Sequence, residues 1–398
     1  MSFLRLIAVA IVATVLLPAS LVQAETLHEA LESAWNKQPA QRAQTARLGE
    51  LEAKRQATTN LTPQPASISL GQRSDQIGSN VGQRQSDIEL SAPLWLPGQR
   101  NSQRAVVEAE TSRFSATQTY TKWRLAGEVR DLLWTTRLAQ SEKDLANQRV
   151  LSAQKLLLDV ERRVKAGDLA KVDANRVNVE LQTANIALKD TEAQAFRALQ
   201  QFNALTGITT LPQEPEVLSE QKSESHPQRL AAQSLLLAQK RLDLIRSTPR
   251  DAPELSLGMT RQKDIANDPY NNSVSLKLKI PFSSSAINQQ RLSGVQAEQA
   301  EADAEQGLEN ARIEAEIASA NFELEQAKAT TTIAELRFNT ALDTQQLLDR
   351  SFNLGESDLP TRLLAEAARF EAERNLIKAR LETGRAISKV NQALGVLP

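Results

Sequence analysis

No cysteine occurs in the 398 residues, so no disulfide framework can form and no lipid can be attached through a thiol. Aromatic residues make up only 4% of the chain, and glycine and proline number 14 and 15. That scarcity excludes a compact all-sheet domain, and the abundance of Ala, Leu, Gln and Glu points to long helices. Neither sign of charge dominates: 47 basic and 48 acidic residues leave a net charge of −1, which gives no electrostatic footprint for nucleic acid. Beyond the N-terminus no stretch approaches the roughly 18–20 continuous apolar residues that a membrane-spanning helix needs. His28 and His226 are isolated, and with no cysteine nothing has the spacing of a metal site. There is also no Ser/His/Asp set, phosphate loop or paired carboxylates, so the sequence reads as a non-enzyme without cofactor.

What is present begins with a leader. Arg5, an apolar run from Leu6 to Leu17, Pro18 and the small-residue end Val22-Gln23-Ala24 form the pattern of a secretory signal peptide over residues 1–24. Export is therefore expected, and any entry into a membrane must use strands.

The rest of the chain states one pattern twice. Gln38-Pro39 recurs as His226-Pro227, Gly71 as Gly258, Pro93 as Pro281, Gly167 as Gly355 and Gly207 as Gly395, at offsets of 188, 187, 188, 188 and 188 residues. A constant offset held by turn formers and helix breakers is what an internal two-fold repeat leaves behind. The first repeat spans 39–207: a helix from Pro39 to about Asn60, strands 66–74 and 86–93, a long helix 98–166 and a helix 169–206. The second spans 227–395, with a helix, strands 254–262 and 273–281, a long helix 286–353 and a helix 360–394. Residues 25–38 and the linker 208–226 are expected to form an equatorial belt.

The strand segments alternate strictly. Ile68 and Leu70, Ile88 and Leu90, Leu255, Leu257 and Met259, and Val274, Leu276, Leu278 and Ile280 form one face. Asp87, Glu89, Lys277 and Lys279 lie on the other. Such segments approach the roughly 9–11 residues of a membrane β-strand; composition alone allows equally an amphipathic hairpin on a soluble core. The helices decide between these readings. After Gly98 the chain runs to Ala166 with no proline and one glycine, Gly127, permitting a helix of roughly 100 Å. Val177, Leu181, Ala184, Leu188, Thr191, Ala195, Ala198, Phe202 and Leu205 form an uninterrupted heptad seam, repeated by Ala297, Ala300, Ala304, Leu308, Ala311, Ala315, Ala318 and Phe322. Such seams need long helical neighbours.

Four strands cannot close a barrel, and open edges in hydrocarbon leave backbone groups unpaired at several kcal/mol each. Two chains give a filled eight-stranded barrel, three a twelve-stranded one with a lumen. The trimer keeps Asp87, Glu89, Lys277 and Lys279 hydrated.

On these features the chain resembles the TolC family of outer-membrane efflux proteins over essentially all its length after the leader. Ser91-Ala-Pro-Leu-Trp-Leu-Pro-Gly-Gln-Arg100 is similar to the strand-to-helix passage of its cobalt-zinc-cadmium branch. The resemblance implies an α plus transmembrane-β fold, with four strands per chain in a twelve-stranded trimeric barrel in the outer membrane of a Gram-negative bacterium. A coiled-coil helical barrel would continue it through the periplasm. It implies a homotrimer in contact with outer-membrane lipid, a periplasmic adaptor and an inner-membrane pump of the resistance-nodulation-division type, and passive exit of cargo, heavy-metal cations among the candidates. It also implies that the turns with Gly167, Asp168 and Leu169 and with Gly355, Glu356 and Ser357 meet the adaptor. Their glycines otherwise serve only as helix C-caps, with Asp168 or Ser357 capping the next helix. Family channels narrow here, which makes Asp358, Arg362 and Glu366 gate candidates. Trp95 reads either as a membrane-interface anchor or as buried against the helical neck; Trp35, Trp123 and Trp134 read as packing residues. The alternative function is a secreted periplasmic helical structural or adaptor protein without a pore. The two differ in whether a purified trimer requires detergent and conducts.

Overall fold

The computed structural model describes residues 26–221, 223, 227–282 and 285–398. The expected leader, His226 and a few residues of the equatorial linker lie outside the described residues. α1 (Leu27–Lys37) opens on a reciprocal cap, in which Thr26 Oγ1 accepts the Glu29 N–H and Glu29 accepts the Thr26 N–H. α2 (Pro39–Ala57) starts on Pro39 at its first turn, where the missing N–H costs nothing. It stops three residues short of Asn60, because the Thr58 and Thr59 hydroxyls donate to the Arg55 and Gln56 carbonyls and close the last turn.

Then come β1 (Ser67–Ser74), β2 (Arg84–Pro93), α3 (Gln99–Ala166) and α4 (Lys171–Thr206). α5 (Gln228–Ser247), β3 (Glu254–Lys263), β4 (Asn271–Lys279), α6 (Ser285–Asn353) and α7 (Leu359–Ala393) follow in the same order of types. β2 and β4 each begin two residues before the alternation predicts, since Arg84 and Gln85 pair with Ser74 and Arg73, and Asn271 and Asn272 pair with Gln262 and Arg261. β4 also ends at Lys279, before Pro281. α4 starts at Lys171 rather than 169, with Ala170 extended as its N-cap.

α3 and α6 hold 68 and 69 residues, roughly 100 Å each. α3 packs on α4 over one half of its length and on α2 and α5 over the other. α6 likewise packs on α7 and α5, and α3 touches α7. The helices therefore form a wall, ordered α4–α3–α7–α6 toward one end and α2–α3–α5–α6 toward the other. At mid-height α1 buries Leu27, Ala30, Leu31, Ala34 and Trp35 against Leu125, Ala126, Val129 and Leu133 of α3 and Phe202 of α4.

The seam expected on α4 is buried or half-buried from Val177 to Leu205. The seam expected on α6 is not. Ala297, Ala300, Ala304, Leu308, Ala311, Ala315, Ala318 and Phe322 are all exposed, Leu308 at 72% and Phe322 at 66%. α6 instead faces α7 with Ala320, Leu324 and Ala334, and it buries Ile313 as well. The helix carries two apolar stripes; the chain buries one and leaves the more regular one exposed.

Candidate functional site

The four strands form one antiparallel sheet in sequence order, with β2 of one half paired to β3 of the other from Arg84↔Lys263 to Pro93↔Glu254. Register places Leu70 beside Ile88, Ile88 beside Met259 and Met259 beside Val274; Leu90, Leu257 and Leu276 line up likewise. This face touches no helix: Leu70 is 77% exposed, Val274 74% and Leu276 72%. Among the described residues the outer edges of β1 and β4 have no strand partner.

The opposite face is polar and internally paired. Asp87 accepts hydrogen bonds from the Thr260 hydroxyl at 2.6 Å and from Gln85 Nε2. Lys277 Nζ lies 2.7 Å from Glu89 Oε2, reaching diagonally across Gly258, where a Cβ would stand 2.8 Å from Ser275 Oγ. Glycine leaves that crossing open. Lys279 lies 3.8 Å from Glu254. With Arg73 on the same face, three cations balance three carboxylates.

Trp95, half-buried below β2, donates its indole N–H to the Asn60 carbonyl at the neck. Two exposed aromatics near the sheet ends escaped the sequence reading: Phe282, 91% exposed below β4, and Tyr270 above it. Only the strand limits single them out.

At the far end of the helices, Gly167 and Gly355 have φ of +90° and +78°, left-handed values that favour glycine although nothing crowds the position. Both close the same motif: Asp168 N–H donates to the Arg163 carbonyl and Glu356 N–H to the Ser351 carbonyl, each at 2.9 Å. Gly167, Asp168, Gly355 and Glu356 are exposed, while Leu169 turns into an apolar cluster with Leu156, Val160, Val177, Phe352 and Leu359. The expected caps are corrected. The N-cap of α4 is Ala170, with no side-chain bond, and that of α7 is Asp358 rather than Ser357, whose hydroxyl points to the Leu348 carbonyl. Neither Asp168 nor Ser357 sits one residue before its helix, as an N-cap must.

Asp358 Oδ1 accepts the Thr361 N–H at 3.0 Å. Arg362 Nε binds Asp349 Oδ1 at 2.6 Å, and the Ser152 hydroxyl donates to Glu366 at 2.5 Å. All three gate candidates thus have partners within the chain. Phe352, unremarked in the sequence, joins the two turns: the guanidinium groups of Arg163 and Arg362 lie over its ring at 4.9 and 5.1 Å.

Hydrogen bonds from the Thr361 side chain and N–H hold the Asp358 carboxyl below its ordinary value. Because the folded value is the lower one, the cap stabilises α7 fully above the unfolded value, near pH 4, and that contribution is lost as pH falls through the depressed folded value. Thr361 amide exchange, corrected for its intrinsic rate, is expected to stay slow down to about pH 4 and to accelerate below it. Asp358→Asn should abolish that step.

No family model and no curated protein matches the sequence. Solved structures do match. CusC, whose structures describe folding and transmembrane channel formation, superposes with a TM-score of 0.76 at 16% identity, covering 95% of this chain and 96% of its own. The outer membrane protein VceC of Vibrio cholerae gives 0.74 at 11% identity over 93% and 96%. The open-state MtrE outer membrane channel of Neisseria gonorrhoeae gives 0.70 at 14% over 93% and 89%. This chain shares the fold of these channel structures. The coverage carries the likeness through the sheet, the neck, the long helices and both turns, so the fold is shared as a whole rather than as a helical bundle.

Proposed function

We propose that the chain is one protomer of a trimeric, TolC-type efflux duct, with the sheet in the outer membrane and the helices in the periplasm. The supporting observation is the sheet itself: one uncovered apolar face, one charge-balanced polar face and two open edges. The apolar face meets lipid, the edges pair with neighbouring protomers to give twelve strands, and Asp87, Glu89, Lys277 and Lys279 line the lumen. The exposed stripe of α6 then seats against the next protomer's free flank, which at that height is α2, where Leu48 is 44% exposed. Such a head-to-tail contact closes into a ring.

In this reading the turns at Gly167–Leu169 and Gly355–Ser357 dock a periplasmic adaptor, and an inner-membrane pump supplies the energy. A charge-balanced wall selects little, so the pump sets the cargo, heavy-metal cations in the branch that the sequence resembles. The tip opens by shifting between packings of the same helices, with Asp358, Arg362 and Glu366 at the moving end.

The test separates the two sheet faces. Leu276→Arg, in the apolar band, is expected to destabilise the inserted barrel by about 2–4 kcal/mol and to deplete detergent-solubilised trimer. Ser275→Arg, one residue away on the polar face, should assemble and shift the ion selectivity of single channels in planar bilayers. A wild-type chain that stays monomeric without detergent and conducts nothing overturns the duct in favour of a periplasmic structural protein.

A further inference from the structure

Above the apolar band, on the same outward face, the side chains change character. Strand parity puts Arg84, Arg261 and Lys263 on the face of Ile88 and Met259. Arg261 lies one inward-outward repeat beyond Met259, roughly 7 Å along the strand, and Lys263 roughly 13 Å. Arg84 and Lys263 are direct cross-strand partners, a like-charge juxtaposition that disfavours the sheet unless an anion joins it. Asp75 takes Arg84, at 3.1 Å. Among the described residues neither Arg261 nor Lys263 forms an ion pair; Lys263 Nζ binds the Ala266 carbonyl. Both cations lie against the Tyr270 ring, Arg261 at 4.4 Å and Lys263 at 5.5 Å from its centroid. Tyr270 itself is 45% exposed.

We propose that Arg261, Lys263 and Tyr270 form a binding site for a phosphorylated lipid headgroup of the outer leaflet, one per protomer. The proposal rests on the barrel reading above. The interfacial layer begins where the apolar band stops, and at that level the outside of the barrel presents two cations without carboxylate partners. The phenol ring holds the guanidinium by its face and lies at the depth favoured by interfacial aromatics. A phosphate could accept from Arg261 and Lys263 together while its acyl chains run down over Met259, Leu257 and Val274. Free phosphate would gain the first contact and not the second, so the site belongs to the lipid.

Native mass spectrometry of the detergent-solubilised full chain, titrated with bis-phosphorylated lipid A and separately with zwitterionic phosphatidylethanolamine, tests this. Wild-type trimer is expected to prefer lipid A, and Arg261→Gln/Lys263→Gln to weaken that binding roughly thirtyfold while leaving phosphatidylethanolamine unchanged. Arg73→Gln, at similar height on the opposite face, should bind lipid A as wild type does. An intact trimer that binds both lipids alike, a double variant that binds like wild type, or full competition by inorganic phosphate overturns the headgroup site and leaves the barrel standing. A wild-type chain that forms no trimer and takes up neither lipid overturns both.

Discussion

Arg130→Ala is expected to lower the unfolding free energy by about 3–5 kcal/mol, the cost of leaving a buried charge without its partner. Arg130 lies in the middle of α3 and is only 3% exposed. Its Nε and Nη2 bind the Glu216 carboxylate at 2.6–3.1 Å, Nη1 binds Gln392 Oε1 at 2.5 Å, and Nη2 also reaches the Val396 carbonyl at 3.0 Å. One guanidinium therefore ties α3 to the equatorial linker, to the end of α7 and to the C-terminal tail. Asn391 completes the tie, donating to the Val217 carbonyl and accepting the Ser219 N–H. Chemical denaturation followed by helical circular dichroism reads the loss. Limited proteolysis between residues 212 and 221 should accelerate in the same variant, because the linker is released first. Glu216→Ala should show a similar proteolytic pattern, and a double-mutant cycle should return a coupling energy well above that of an exposed pair, about 0–1 kcal/mol. Additive single effects would show that linker and helix are not joined through this pair.

The second large effect concerns assembly. Leu308→Glu/Phe322→Glu places two carboxylates on the exposed stripe of α6, where the isolated chain covers neither side chain. The fold of the protomer should survive, with wild-type helical content. Association should not, since each charge carried into a helix–helix interface without a partner costs several kcal/mol. Cross-linking or sedimentation in detergent is expected to show monomer for the variant and trimer for wild type. Ile313→Glu, on the same helix but 2% exposed against the chain's own neighbours, should instead disrupt the protomer. If the stripe variant remains trimeric, this face of α6 is not the ring contact.

Much of the architecture was legible because it is written in local terms. The reach of α3 follows from 68 residues with a single internal glycine, the two-faced strands from period two, and the turns from glycines that must adopt positive φ. The α4 seam could be read because the face it forms is the one that α3 covers. α6 misled for the opposite reason: Ala297 to Phe322 is the more regular stripe, whereas Ile313, Ala320 and Leu324 form the one the chain buries. Periodicity identifies a face that must be covered and carries no label for what covers it. The caps failed by two residues and by one, Ala170 and Asp358 standing where Asp168 and Ser357 were expected, because a cap depends on where the chain turns back into the helix.

The sequence by itself determined which segments are strands, which are long helices and where they break, since these follow from spacing and backbone preference within a few residues. It also determined that the strands have a greasy and a charged face. Only the tertiary structure decided that β2 pairs with β3, that Lys277 crosses Gly258 to reach Glu89, and that Phe352 joins the two turns. It also decided that Arg130 meets Glu216 and Val396, which lie 86 and 266 residues away. These depend on which distant segments are brought side by side, and burial and charge pairing select that arrangement only once the whole wall of helices is assembled.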